Sequence, residues 1–226
     1  MKKITLSLLA VGLIGTAAHA QAPATWSGFK AGLSLGAANY TSTWTDTGFD
    51  WFGGSLSYSN RKLVPSVHVG WDIQTGSVVY GAELDHAFVS SKRDVRYDGG
   101  LNPANPSIRI HNELKSVTTL RGRMGVTVGD GLVYATAGLA KASANHTWTG
   151  TNNSPDNFST NNDHTGFVYG FGVEHRVNQL LSLRAEYQHT NFPEASAYNS
   201  PTATYPTVME VGDNLSTFNF GASFHF

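Results

Sequence analysis

The sequence contains no cysteine, which excludes disulfides, thiolate metal sites and cysteine nucleophiles together. Charge is scarce as well. Charged residues make up 14% of the 226, against roughly 25% in an average soluble domain. The net charge of −1 offers no basic face for a nucleic acid to follow. Beyond residue 18 there is no long apolar run, and the mean hydropathy of −0.21 is too polar for a bundle of membrane helices. There is no phosphate loop, no GxGxxG and no HExxH. The 9 histidines are scattered without metal-ligand spacing, so no metal and no cofactor are expected. What is plentiful is glycine, with 24 residues, and aromatic side chains, at 12%.

Lys2 and Lys3 precede an apolar stretch from Ile4 to Ala18 that closes on Ala18-His19-Ala20. A charged start, a hydrophobic middle and an A-x-A site read as a secretory signal cleaved after Ala20. The stretch is shorter than the ~20 residues of a spanning helix. Residues 1–20 are therefore expected to be removed, and 21–226 to form one domain outside the cytoplasm.

That domain alternates with a period of two in segment after segment. Phe29, Ala31, Leu33 and Leu35 share one face opposite Lys30, Gly32 and Ser34. Val67, Val69 and Trp71 oppose His68, Gly70 and Asp72, and Ala82 and Leu84 oppose Glu83 and Asp85. Leu120 and Met124 oppose Arg121 and Arg123, while Val173 and Val177 oppose Glu174 and Arg176. Leu183, Ala185 and Tyr187 oppose Arg184 and Glu186, and the last segment alternates to Phe226. The eighth segment, 132–145, is apolar or small on both faces; Lys141 is placed inward there. Tight turns (75–77, 129–131, 178–179) take turns with long polar connections at about 40–62, 91–115, 146–163 and 190–212. Short turns on one side and long loops on the other are the plan of an outer-membrane barrel, with the long loops extracellular.

Charge placement separates a membrane barrel from a soluble one. Across the seven clear segments the apolar parity carries no Asp, Glu, Lys or Arg. A soluble barrel would put apolar side chains inside and charges outside. Here the charges must point inward, because a lipid-facing Arg or Lys at the midplane costs ~2–4 kcal/mol. The expected fold is all-β: an eight-stranded antiparallel up-and-down transmembrane β-barrel. Trp26, Trp71, Tyr80, Tyr134 and Tyr187 are expected in interfacial girdles.

Several stretches carry a family likeness. Trp26-Ser27-Gly28-Phe29-Lys30-Ala31-Gly32, Val79-Tyr80-Gly81-Ala82-Glu83-Leu84-Asp85 and Thr119-Leu120-Arg121-Gly122-Arg123-Met124-Gly125 resemble successive strands of small outer-membrane β-barrels, the porin-like and opacity-type proteins of Gram-negative bacteria. So do Val133 to Ala140, Gly170 to Glu174 and Leu183 to Tyr187. The resemblance covers 21–226 in order and implies a bacterial outer-membrane location without a peptidoglycan-binding domain. It also implies that the terminal aromatic, Phe226, is the signal read by the barrel-insertion machinery.

The candidate site is the lumen. Glu83 and Asp85 face Arg121 and Arg123 on neighbouring segments, and Glu174 and Arg176 face Arg184 and Glu186 on another pair, with Asp72 and Lys30 beside them. An eight-stranded barrel is just wide enough for its own side chains, so opposite charges are expected to pair and close it. The function expected is a non-enzymatic envelope protein, contributing to integrity and surface interaction. The alternative is a low-conductance porin gated by the same charges. A haem-binding or adhesive role of the loops follows from family likeness only. The sequence Gln188-His189-Thr190-Asn191 is compared with the His-x-Ser-Asn of barrels that deacylate lipid A, but the serine is missing and no catalytic residue is assigned. Outer-membrane lipids and lipopolysaccharide are the expected partners, through basic residues such as Lys92 and Lys115. A host protein or other ligand at the loops is a further one. Loop 40–62, with Trp44, Phe49, Trp51, Phe52 and Tyr58, reads as an extended hairpin.

Overall fold

The computed structural model describes residues 25–47, 55–97, 108–150, 158–200 and 207–226. The expected signal segment and the tips of the long connections lie outside these residues. Nine strands follow one another: β1 (Gly28–Asp46), β2 (Ser55–Thr75), β3 (Val78–Ala87), β4 (Ser91–Tyr97), β5 (Ile108–Val128), β6 (Gly131–Gly150), β7 (Phe158–Arg176), β8 (Leu181–Ser200) and β9 (Thr207–His225). All pairings are antiparallel. The order β3-β2-β1-β9-β8-β7-β6-β5 closes through the β3–β5 pairing. This is an eight-stranded barrel whose third strand is broken at Phe88–Ser90 and continues outward as β4. At the break Ser90 has a φ of 41°.

Closure leaves no free edge at the level of the bilayer, where an unpaired backbone group would meet only lipid. The last strand completes it: the Phe226 N–H donates to the Phe29 carbonyl at 2.9 Å, and their rings lie 5.9 Å apart. Gly76 and Gly129 hold positive φ in two of the tight turns, a conformation that costs other residues more.

The exterior carries the apolar parity. Leu33, Leu63, Leu120, Met124, Phe167 and Phe220 are all more than half exposed, the arrangement of a wall facing hydrocarbon. Trp71, Tyr80 and Tyr187 stand on this outer face as expected. Trp26 and Tyr134 do not: both are buried inside. Lys141 is the reverse correction, because its side chain is exposed on the outer face. Both faces of 132–145 look alike in sequence, so the parity there is decided by pairing with β5 and β7. That pairing turns Leu132, Tyr134 and Thr136 inward.

The strands are longer than the membrane requires. β2 and β5 each have 21 residues, whereas a crossing takes about 9–11. The ranges read as long loops are therefore largely strand: 40–46 and 55–62, 91–97 and 108–115, 146–150 and 158–163, 190–200 and 207–212. The reading of 40–62 as a hairpin matches the β1–β2 register, which runs out to Thr45↔Ser55.

Candidate functional site

Inward-pointing residues stack in three layers. Nearest the short turns, Trp26 packs with Val79, Leu132 and Tyr134. Its main-chain N–H donates to Gln74 Oε1 at 2.8 Å, and the Arg176 guanidinium lies 4.8 Å from its ring centre. A tryptophan that reads as a girdle residue is thus a stopper at the mouth.

The middle layer holds the charges, and Glu83 is its hub. It receives Arg121 at 2.6 Å from the neighbouring strand, Arg184 at 2.9 Å from across the lumen and Lys30 at 3.0 Å. Arg121 also reaches Glu186 at 2.6 Å, and Arg184 reaches it at 3.2 Å. Arg123 contacts Glu174 at 2.9 Å, and Lys30 contacts Asp72 at 3.2 Å. The two groups expected from sequence are therefore one network that spans the lumen.

Polar neighbours add to the partners of Glu186 and Glu174. Tyr134 donates to Glu186 at 2.7 Å and Ser182 to Glu174 at 2.5 Å; Gln188 also donates to Glu186. Arg123 lies 4.1 Å over the Tyr134 ring. Tyr134 and Ser182 are members that charge patterning could not reveal, since neither is ionised at neutral pH. Every charged side chain of the network is almost fully buried. Such groups need this many partners to offset the loss of water.

Two expected members stand apart. Arg176 donates to the main-chain carbonyls of Gln179 at 2.7 Å and Thr25 at 2.6 Å, because it sits at the mouth below the network. Asp85 lies above it and lines a cavity of about 20 Å³ with Ser66, Thr119, Gln188, Thr190 and Asn219. That volume admits a water-sized occupant, which needs ~10–15 Å³.

The outer layer is apolar. Tyr40, Val64, Leu114, Val117, Phe192 and Leu215 belong to one buried cluster, and the Tyr40 hydroxyl donates to Asp213 at 2.8 Å. Tyr40, Leu114 and Phe192 lie in the ranges expected to be long connections, whereas Val64, Val117 and Leu215 sit at the outer ends of the alternating segments on the inward parity.

His189 faces outward, as its parity indicates. A serine approaches it from the next strand: its Nδ1 is 2.9 Å from Ser216 Oγ on β9. A working nucleophile also requires its base to be oriented by a third group. Among the described residues no carboxylate or amide meets the other ring nitrogen. His86 and Thr118 form the same arrangement at 2.8 Å on the outer face. Both pairs read as a polar rim above the apolar belt.

The chain is similar to several known proteins. The chain is 29% identical over 167 residues to a 22 kDa outer membrane protein of Rhizobium leguminosarum bv. viciae, covering 74% of this chain and 64% of that protein. It is 25% identical over 221 residues to the 31 kDa outer-membrane immunogenic protein of Brucella melitensis, covering 89% and 84%. Among solved structures, Neisserial surface protein A aligns over 88% of this chain and 98% of its own, at 13% identity and a TM-score of 0.47. The outer membrane protein OprG of Pseudomonas aeruginosa aligns over 88% and 99%, at 14% and 0.45. The model of the outer membrane protein beta-barrel domain matches residues 6–226. With its lipid-facing wall and charged interior, this chain belongs to that family and is a protein of the bacterial outer membrane.

Proposed function

We propose that this barrel is a non-enzymatic envelope protein that contributes to outer-membrane integrity and makes surface contacts at its outer end, with its lumen closed. The observation that carries the reading is the filled interior. A tryptophan stopper, the Glu83-centred network and an apolar layer follow one another along the axis. The cavity between the last two is far below the ~300 Å³ of a typical ligand pocket. Outer-membrane lipids and lipopolysaccharide are the partners proposed for the rim, and the C-terminal strand with Phe226 is the proposed signal for barrel insertion. The Brucella relative is named as immunogenic, which fits an outer end open to contact.

Planar-bilayer recording of the refolded protein tests the closed lumen. A silent bilayer is expected, with insertion verified by heat-modifiable migration in detergent gels. Discrete openings that change in Glu83→Ala or Arg121→Ala would favour the second reading, a low-conductance porin. That reading draws on Arg121 and Arg184 each touching both Glu83 and Glu186, so that partners can exchange by side-chain rotation.

A further inference from the structure

Beyond the apolar belt the barrel wall is not continuous. The β2–β3 ladder ends at Ser66↔Ala87, and the β4 continuation pairs only with β5. The β7–β8 ladder ends at Phe167↔Asn191. The outer part is therefore two four-stranded sheets, β8-β9-β1-β2 and β4-β5-β6-β7, divided by two seams.

A proline stands at the foot of each seam. Pro65 accepts from the Phe88 N–H at 2.9 Å, so its own nitrogen faces β3 and β4 with no hydrogen to donate. Alternate residues of a strand direct their main-chain groups to the same side. Leu181 accepts from Val177, the residue that follows β7, so Pro193, at the same parity of β8, turns its nitrogen toward β7.

The same counting along β2 aims the N–H and C=O of Ser57, Ser59 and Arg61 into the first seam. Two side-chain contacts support this register. Thr41 and Ser59 hydroxyls meet at 3.0 Å and Thr43 and Ser57 at 2.8 Å. Such closeness marks pairs that do not exchange main-chain hydrogen bonds with each other. At the level of Arg61 the two lips are held together by Asn60 donating to Ser91 at 3.0 Å and Lys62 donating to the Ser90 carbonyl at 2.7 Å. Above, among the described residues, no strand completes the β2 edge.

The seam is also basic. Arg61, Lys62 and Lys92 are exposed there. The nearby acids Glu113 and Asp94 already face Lys92 and His111, and Arg61 meets no acid among the described residues. Like charges on the two lips oppose their pairing with each other and suit a negatively charged occupant.

We propose that the β2 edge at Ser57 and Ser59 docks an extended, acidic polypeptide segment as an added strand, with the exposed Arg61 at its foot taking a carboxylate. Strand addition draws affinity from main-chain bonds and selectivity from side chains. The proposal goes beyond the closed-lumen reading, and a silent or conducting bilayer leaves it untouched.

The test is amide hydrogen exchange of the full refolded chain in phosphocholine nanodiscs, with a blocked octapeptide of alternating Glu and Thr as probe. Exchange at Ser57 and Ser59 is expected to slow at least tenfold. The effect should vanish with a probe N-methylated at alternate residues, and Ser57→Pro/Ser59→Pro, checked for folding by heat-modifiable migration, should abolish binding of a fluorescently labelled probe read by anisotropy. Arg61→Gln should weaken binding by about two- to fivefold, the scale of an exposed ion pair. Three results would overturn it. They are edge amides already protected without probe, equal protection by a Lys/Thr octapeptide, and protection that needs anionic lipid but no peptide.

Discussion

Glu83 and Arg184 meet at 2.9 Å although they lie 101 residues apart and on strands that do not pair. The contact crosses the lumen, so it ties opposite walls rather than neighbours. Arg121 binds Glu83 from the next strand, and together the two arginines make one carboxylate a junction.

Removing that junction should cost more than removing any one arm. In Glu83→Ala, Arg121, Arg184 and Lys30 lose their shared partner while remaining buried. Breaking a buried pair from one side costs about 3–5 kcal/mol. Urea unfolding in detergent, followed by heat-modifiable migration, should show a loss of that size. Arg184→Met in the same background should restore part of it, because the stranded cation is then gone.

Orientation of the wall predicts opposite results for two lysines. Met124 faces lipid in the middle of the apolar belt of β5, so Met124→Lys should destabilise by ~2–4 kcal/mol. Lys141 lies on the same outer face beyond Leu139, at the belt's outer margin. Lys141→Leu should change stability by about 1 kcal/mol or less. Equal effects in the same unfolding assay would contradict the assigned faces.

Close approach of strands makes glycines unequal. A Cβ on Gly138 would stand 2.0 Å from the Leu120 carbonyl oxygen and 2.7 Å from Arg121 Cα, both backbone. Gly138→Ala must therefore spread β5 from β6 at the level of the network. On Gly122 the nearest atom is 3.9 Å away, so Gly122→Ala should be tolerated. Refolding yield read from gel migration separates the two, with loss expected only for Gly138→Ala.

Much of the fold was legible because a barrel wall is read by a single rule. Period-two alternation with every charge on one parity identified the lipid face, and the structure keeps that assignment in all seven segments where the two faces differ. It failed for 132–145, where Val133 and Leu139 outside are as apolar as Leu132 and Ala140 inside. Lys141 and Tyr134 went to the wrong side for that reason. The outer strands were read as loops because their residues are polar, although strands above a membrane face water on the outside and need no lipid-facing stripe. Pro65 and Pro193 were the available signals for the seams, since a proline in a strand marks a place where one neighbour is missing.

The sequence by itself determined the class of solvent on each side of the wall, and hence the barrel and its membrane. Those follow from transfer free energies of individual side chains, which are local quantities. Only the tertiary structure decided which charges meet. Strand tilt and closure bring Glu83 opposite Arg184 and leave Asp85 one layer above, beside its cavity. Those contacts depend on the register of strands far apart in the chain, and no spacing along one strand encodes the distance across a lumen.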